Sequence, residues 1–344
     1  MKIYDKNGWL YLDDLYLNPS YNFYVVVGPR QVGKTFDTSR FLLEKINGLF
    51  LWLRRTEDEV LMLQSAPENN PFYEHDKDVF IKSIPKTPIC GVYRNEGEEK
   101  TLIGYVGALS TIKTMRGFSL RGINWLVYDE FIPERHARKF KAEGDAFLNA
   151  YTTISGNREL EGQEPLKAIL LSNSNDLSHD ILFTLNIIRD IEEMERKNQE
   201  MRLIEKRGIA IILPRSDKVI GQRKKTALAR VLNENDDFWQ MAFDNDFAYN
   251  STLYIMPVDP LSLLPYCRIG KLFFYTKKGT ECFYCSIKQH GTFNQNSVFP
   301  EGQEGMRASL FYSYALIDAY NRGMLVFEEY TSKKLFIDMF NIKV

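Results

Sequence analysis

Cysteine is scarce in this chain: four residues, at positions 90, 267, 282 and 285 of 344. They are too few and too unevenly spaced for a disulfide framework, so the fold is expected to rest on its own cores in a reducing compartment. Long apolar runs are missing too. No stretch approaches the roughly 18 apolar residues that a membrane-spanning helix needs, and the opening Met1-Lys2-Ile3-Tyr4-Asp5 lacks the pattern of a secretory leader. Net charge is nearly absent, at −1 from 44 Lys+Arg and 45 Asp+Glu. The chain as a whole is therefore no polycation, and any nucleic-acid contact must come from local basic patches. Internal repeats and low-complexity tracts are absent as well.

What is present is core-forming material. Hydrophobic residues make up 44% and charged residues 26%, with 23 Phe and 19 Tyr, and the length exceeds what one hydrophobic core usually organises. One full-sized domain and a smaller one are expected. Up to about residue 207, short apolar runs alternate with helical patterns, the signature of an α/β layer structure. The runs Tyr24-Val25-Val26-Val27, Leu49 to Leu53, Thr101 to Ala108, Trp125 to Tyr128 and Ala168 to Leu171 read as buried, mostly parallel strands. Thr35 to Lys45 and Ala146 to Ile154 have helical spacing. Gln64 to Pro88, with four prolines, is expected to loop out, and Leu182 to Arg207 to form one long, charged helix.

Residues 207 to 230 hold seven Lys or Arg against one acid, Asp217, a basic connector. From about Phe247 the pattern becomes short alternating runs, such as Lys271 to Tyr275 and Cys282 to Ile287, then a helix near Ser309 to Arg322. The expected organisation is an α/β domain over 1–207, a basic linker over 208–246 and a small α+β domain over 247–344.

Gly28-Pro29-Arg30-Gln31-Val32-Gly33-Lys34-Thr35 fits G-x-x-x-x-G-K-[ST] at every constrained position, after a Val-rich strand and at the head of an amphipathic pattern. Glycines let the backbone wrap a phosphate, its N–H groups and the helix N-terminus present partial positive charge, and Lys34 adds a full one. Thr35 is the expected magnesium ligand for a bound ATP. Ninety-four residues after Thr35 (129 − 35), the apolar run Ile123 to Tyr128 ends in Asp129-Glu130. Asp129 is placed to hold the Mg2+ shell and Glu130 to polarise the attacking water, a poor nucleophile without help. Another apolar run, Ala168 to Leu171, ends in Ser172-Asn173, with Asn173 able to sense a terminal phosphate. The predicted class is an α/β P-loop NTPase of the ASCE type with a mostly parallel sheet.

The order of these features, with Leu51-Trp52-Leu53-Arg54-Arg55 on the second strand, Asp129-Glu130-Phe131, Asn157-Arg158-Glu159 and Leu171-Ser172-Asn173, resembles the DNA-packaging ATPases of phi29-like tailed phages, compact relatives of large terminases. The resemblance runs on through Lys224-Lys225-Thr226 and Met241 to Phe247. It implies a homo-oligomeric ring at the portal vertex of an empty capsid in the host cytoplasm. That ring would hydrolyse ATP to move double-stranded DNA inward, with the portal and procapsid, and a packaging RNA, as partners. It implies a nucleotide-site role for Arg54 and a trans-acting cation, for which Arg116 and Arg158 are the candidates.

A motor that slides along a duplex holds phosphates rather than base edges. The candidate DNA-binding residues are Arg135, Arg138, Lys139 and Lys141 after the acid pair, and Lys224 and Lys225, with Arg215, Lys218, Arg223 and Arg230 nearby in the connector. Large terminases end in an RNase H-like nuclease that binds two metals through clustered carboxylates. The sparse acids after residue 247 form no triad, so the resemblance implies an RNase H-like last domain without nuclease activity. Cys282 and Cys285, if they lie on one strand, point to opposite faces and cannot share a zinc ion. Two other readings remain open: a helicase-like or AAA-like ATPase acting on another polymer, and a portal-vertex DNA-binding adaptor that binds ATP without turnover.

Overall fold

The computed structural model describes residues 2–115, 122–133, 140, 142–173, 179–223, 225–227, 231, 255, 259–280 and 282–342. The chain divides into two compact units, one from Met1–Asn175 with Arg189–Asp246, the other from Asp176–Ile188 with Phe247–Val344.

The first unit is built on nine strands: β1 (Phe23–Gly28), β2 (Leu49–Arg54), β3 (Val79–Ser83), β4 (Cys90–Glu96), β5 (Glu99–Ala108), β6 (Ile123–Asp129), β7 (Lys167–Asn173), β8 (Met201–Ile204) and β9 (Ile209–Ile212). Their order across the sheet is β3-β4-β5-β2-β6-β7-β1-β9-β8. Every pairing from β5 through β9 is parallel, and antiparallel partners close both edges. Covered on both faces, the central strands need unbroken apolar runs rather than alternation; Tyr24 to Val27 and Ala168 to Leu171 are wholly buried. One strand, β7, lies between β1 and β6, so the cradle strand and the acid strand are not neighbours.

The helix Lys34–Glu44 buries Phe41 and Leu42 in the main core. There the Phe41 ring meets those of Tyr16 and Trp125 at 4.9 and 5.0 Å between centroids. The expected helix around Ala146 runs over Glu143–Ser155.

Three expectations are corrected. The proline-bearing stretch Gln64 to Pro88 is not all loop, because Val79–Ser83 adds an edge strand antiparallel to β4. The single helix over Leu182 to Arg207 is instead two short helices, Asp180–Thr184 and Ile188–Arg196, and the strand β8. Asn186 and Asn198 take left-handed φ of 48° and 50°, conformations that Asn tolerates and that break a helix. The apolar residues from 201 to 204 fit a short strand as well as a helix, and pairing with β9 decides between them. Ile209–Ile212, at the head of the expected basic linker, is a buried sheet strand.

The second unit is a small α+β fold. Its strands β10 (Leu263–Ile269), β11 (Leu272–Lys277), β12 (Phe283–Ser286), β13 (Val298–Phe299) and β14 (Leu325–Phe327) lie in the order β13-β10-β11-β12-β14. Cys267, Phe274, Cys285, Leu316, Phe327 and Phe336 form its core. Both Cys267 and Cys285 are buried among these apolar side chains, and burial pushes the Cys267 thiol up to about 12.

Candidate functional site

The loop after β1 turns tightly because two glycines permit it. Gly33 has φ of 93° and starts the helix Lys34–Glu44. A side chain at Gly28 would bring its Cβ to 2.6 Å from Pro214 Cγ. Gln31, at φ 62°, completes the wrap, with Arg30 and Gln31 exposed at its tip. Val32 is buried, and its carbonyl accepts from Leu10 N–H at 3.2 Å.

Lys34 is buried. Its Nζ donates to Gly28 O at 3.0 Å, to Pro29 O at 2.6 Å and to Asn173 Oδ1 at 3.1 Å. The cradle lysine and the expected phosphate sensor are thus joined directly. Next to Lys34, Thr35 Oγ1 lies 3.4 Å from Asp129 Oδ1. The other Asp129 oxygen faces Arg54, with NH1 at 3.1 Å from Oδ2, and the same guanidinium donates to Glu130 through NH2. Burial pushes the Asp129 carboxyl up to about 6, against the opposing pull of Arg54.

Glu130 sits just past the strand end, half in solvent, with 53% of its side chain exposed. Its φ is 55°, the left-handed region that a long side chain seldom adopts. Such a conformation costs of order 1–3 kcal/mol and persists where the surroundings impose it. The surroundings are visible here: Phe131 N–H donates to Leu171 O at 3.3 Å, and Ile132 N–H to Ser172 Oγ at 3.1 Å. The end of β7 therefore holds the residues after the acid pair through Ser172, and the cradle lysine through Asn173.

These residues fit a magnesium nucleotide. Thr35 and Asp129 bring two hard oxygen donors together, the donor type that Mg2+ prefers. Gly33 starts the helix Lys34–Glu44, whose N-terminal N–H groups suit a phosphate, and Arg54 Nε is buried without a hydrogen bond among the described residues, 3.7 Å from Glu59 Oε2.

The structure does not bring Arg158 to this site. Its guanidinium is buried and donates through NH2 to Ile123 O at 2.6 Å, at the opposite end of β6 from Asp129. The six residue steps between them amount to roughly 20 Å along an extended strand. Arg116, Arg135, Arg138, Lys139, Lys141, Lys224 and Arg230 lie outside the described residues. Lys225 is exposed. Arg215 pairs with Glu195 at 2.8 Å and Lys218 Nζ donates to Lys6 O at 3.0 Å, which ties both into the first unit.

Sequence reasoning missed two features of the site. One is the N-terminal segment: Trp9 and Leu10 pack over Gly33, within 4 Å of the Cβ it lacks, and nothing in their composition signals it. The other lies behind the acid pair. Arg55 forms a two-pronged ion pair with Glu143, at 3.0 and 3.1 Å, and Tyr128 OH donates to the same carboxylate. The adjacent arginines at the end of an apolar strand were its only trace.

The strand order, with β7 between cradle and acid strands, and the converging Lys34, Thr35, Asp129 and Glu130 define a P-loop ATPase of the ASCE type. The family model for podovirus DNA encapsidation proteins (Gp16) matches residues 7–258, well over half of the chain, and the chain belongs to that family. It is a DNA-packaging ATPase.

The solved phi-29 viral genome packaging motor assembly is similar, with a TM-score of 0.62 and 19% identity over 96% of this chain and 100% of that one. The phi-28 gp11 DNA packaging motor is similar at a TM-score of 0.58 and 16% identity over 98% of each chain. At such identities the likeness concerns the fold. No curated protein sequence matches the chain. Among the described residues no helix is long and apolar enough to cross a membrane, and no three His, Cys, Asp or Glu side chains gather as a metal site.

Proposed function

We propose that the chain works as a homo-oligomeric ring at the portal vertex of a preformed capsid, in the host cytoplasm. There it couples magnesium-dependent ATP hydrolysis to the inward movement of double-stranded DNA, without nuclease activity. The observation that carries the hydrolytic part is the meeting of Thr35, Asp129, Arg54 and Glu130 in front of the Gly28 to Thr35 cradle. Asp129 and Thr35 would hold the metal, whose charge would offset that of the phosphates. Lys34 and the backbone N–H groups of the cradle hold the phosphate oxygens, and Glu130, poised at the rim, orients water and takes up its proton. Arg54 keeps the two acids apart and in place. The trans-acting cation of such a ring is Arg116, while the exposed Lys225 and its basic neighbours hold DNA phosphates.

The test is ATP turnover with and without duplex DNA and empty capsids. Turnover that rises with DNA and requires the capsid supports the reading; turnover indifferent to both would count against it. In the same assay Glu130→Gln should keep nucleotide affinity and lose about 10²–10⁴-fold in rate. Hydrolysis near the parent rate in that variant removes Glu130 from its role.

A further inference from the structure

Arg54 and Arg55 are consecutive, so the extended chain sends them to opposite faces of the sheet. Tyr128 and Asp129 are likewise consecutive on the neighbouring strand, where Leu53 is paired with Tyr128. The result is two matched contacts back to back. On the front face Arg54 meets Asp129 and Glu130. On the rear face Arg55 and Tyr128 meet at one carboxylate, that of Glu143.

The rear contact is deeply buried, with Arg55 and Glu143 each 2% exposed. Arg55 takes the carboxylate in the planar two-point geometry peculiar to arginine, and its guanidinium stacks 4.8 Å from the Phe140 ring centroid. Glu143 is the first residue of the helix Glu143–Ser155, where a negative charge also suits the helix dipole. The Tyr128 hydroxyl donates to the same carboxylate.

We infer that Glu143 is a positioning residue for hydrolysis, clamping the ends of β2 and β6 from behind so that Arg54, Asp129 and Glu130 keep their mutual placement. The inference rests on the ATPase reading of the front face. A buried ion pair contributes little net stability compared with an apolar replacement, whereas two strand ends held to one carboxylate fix the geometry of the groups one residue away. Glu143 also joins the acid pair to the far end of the segment that follows it, residues 131–142, which contains Arg135, Arg138, Lys139 and Lys141.

The experiment compares the full-length parent with Glu143→Gln, Arg55→Lys and Tyr128→Phe. ATP turnover is expressed per nucleotide-binding site, titrated with a fluorescent ATP analogue, in the presence of DNA and capsids. The expected result is a fall in kcat of about 10–100-fold for Glu143→Gln and Arg55→Lys, with KM and analogue affinity within about threefold of the parent, the range of modest binding changes. Tyr128→Phe, which removes one hydroxyl and preserves packing, is expected to lower kcat by a smaller factor in the same direction.

A structural role alone would lower the number of titrated sites and leave kcat per site unchanged. That result in Glu143→Gln, or in Tyr128→Phe if the former does not fold, overturns the inference. If the parent itself shows no turnover, the ATPase reading has failed instead.

Discussion

Arg54 divides its guanidinium between two adjacent carboxylates. NH1 lies 3.1 Å from Asp129 Oδ2 while NH2 donates to Glu130. Asp129 keeps its other oxygen turned to Thr35, so the oxygen proposed to face a metal and the one facing arginine are separate on one carboxylate. Arg54→Ala should lower kcat by about 10²-fold, the usual loss on removing one charge-stabilising donor, with nucleotide still bound. Steady-state hydrolysis measured beside analogue titration decides, and an unchanged kcat would leave Arg54 with a packing role only.

Arg158 is expected to behave as a structural residue. Its guanidinium bonds the Ile123 carbonyl from a buried position, and losing a buried charged donor costs about 1–3 kcal/mol. Arg158→Ala should therefore show a lower unfolding midpoint. Its folded subunits should keep turnover, and mixing them with Glu130→Gln subunits should give no more activity at any ratio than the Arg158→Ala subunits supply by themselves. Activity above that level would mean that Arg158 leaves its buried place in the assembled ring.

Neutralising Lys224 and Lys225 together should weaken duplex binding for all sequences alike. It should also reduce the dependence of log affinity on log salt by about 0.9 for each DNA phosphate that the pair no longer neutralises. Titrations at several salt concentrations measure the slope, and an unaltered slope removes this pair from the DNA path.

Much of the first unit was legible in the sequence because both-face burial demands long apolar runs, and those runs are where β1, β2, β5, β6 and β7 lie. Edge strands were not: Val79–Ser83 and Met201–Ile204 are short, and their partners supply what local periodicity lacks. In the site, Lys34, Thr35, Asp129 and Glu130 were visible because their chemistry constrains spacing. Arg54 and Asn173 were visible as strand ends. Glu143 was not, because its partners are 88 and 15 residues away and no local pattern marks a buried glutamate.

Glu328 links the second unit to pH. Its carboxylate accepts from Ser286, from Lys288 Nζ at 2.9 Å and from His290 Nε2, 3.3 Å away. Burial alone would raise its pKa, but these donors outweigh burial and hold it below the usual glutamate value. A depressed folded-state value means that the stabilisation is present above the unfolded pKa of about 4.3 and is lost as pH falls through the folded one. Glu328→Gln should therefore weaken hydrogen-exchange protection of Phe283 to Lys288 at pH 7 by about 1–3 kcal/mol. The difference from the parent should shrink on acidification below pH ~4, and a difference constant with pH would refute the linkage.

The left-handed backbone of Glu130 gives that position two owners with opposed interests. Folding favours a residue without a long side chain there, asparagine or glycine, which adopts such a φ at little cost. Hydrolysis favours a carboxylate on a reach long enough to meet water. Random mutation followed by selection for heat resistance alone would drift toward silent motors, well-folded rings with an intact cradle and no stroke. On the role proposed for Glu130, selection for packaged genomes would be what keeps the glutamate where it is.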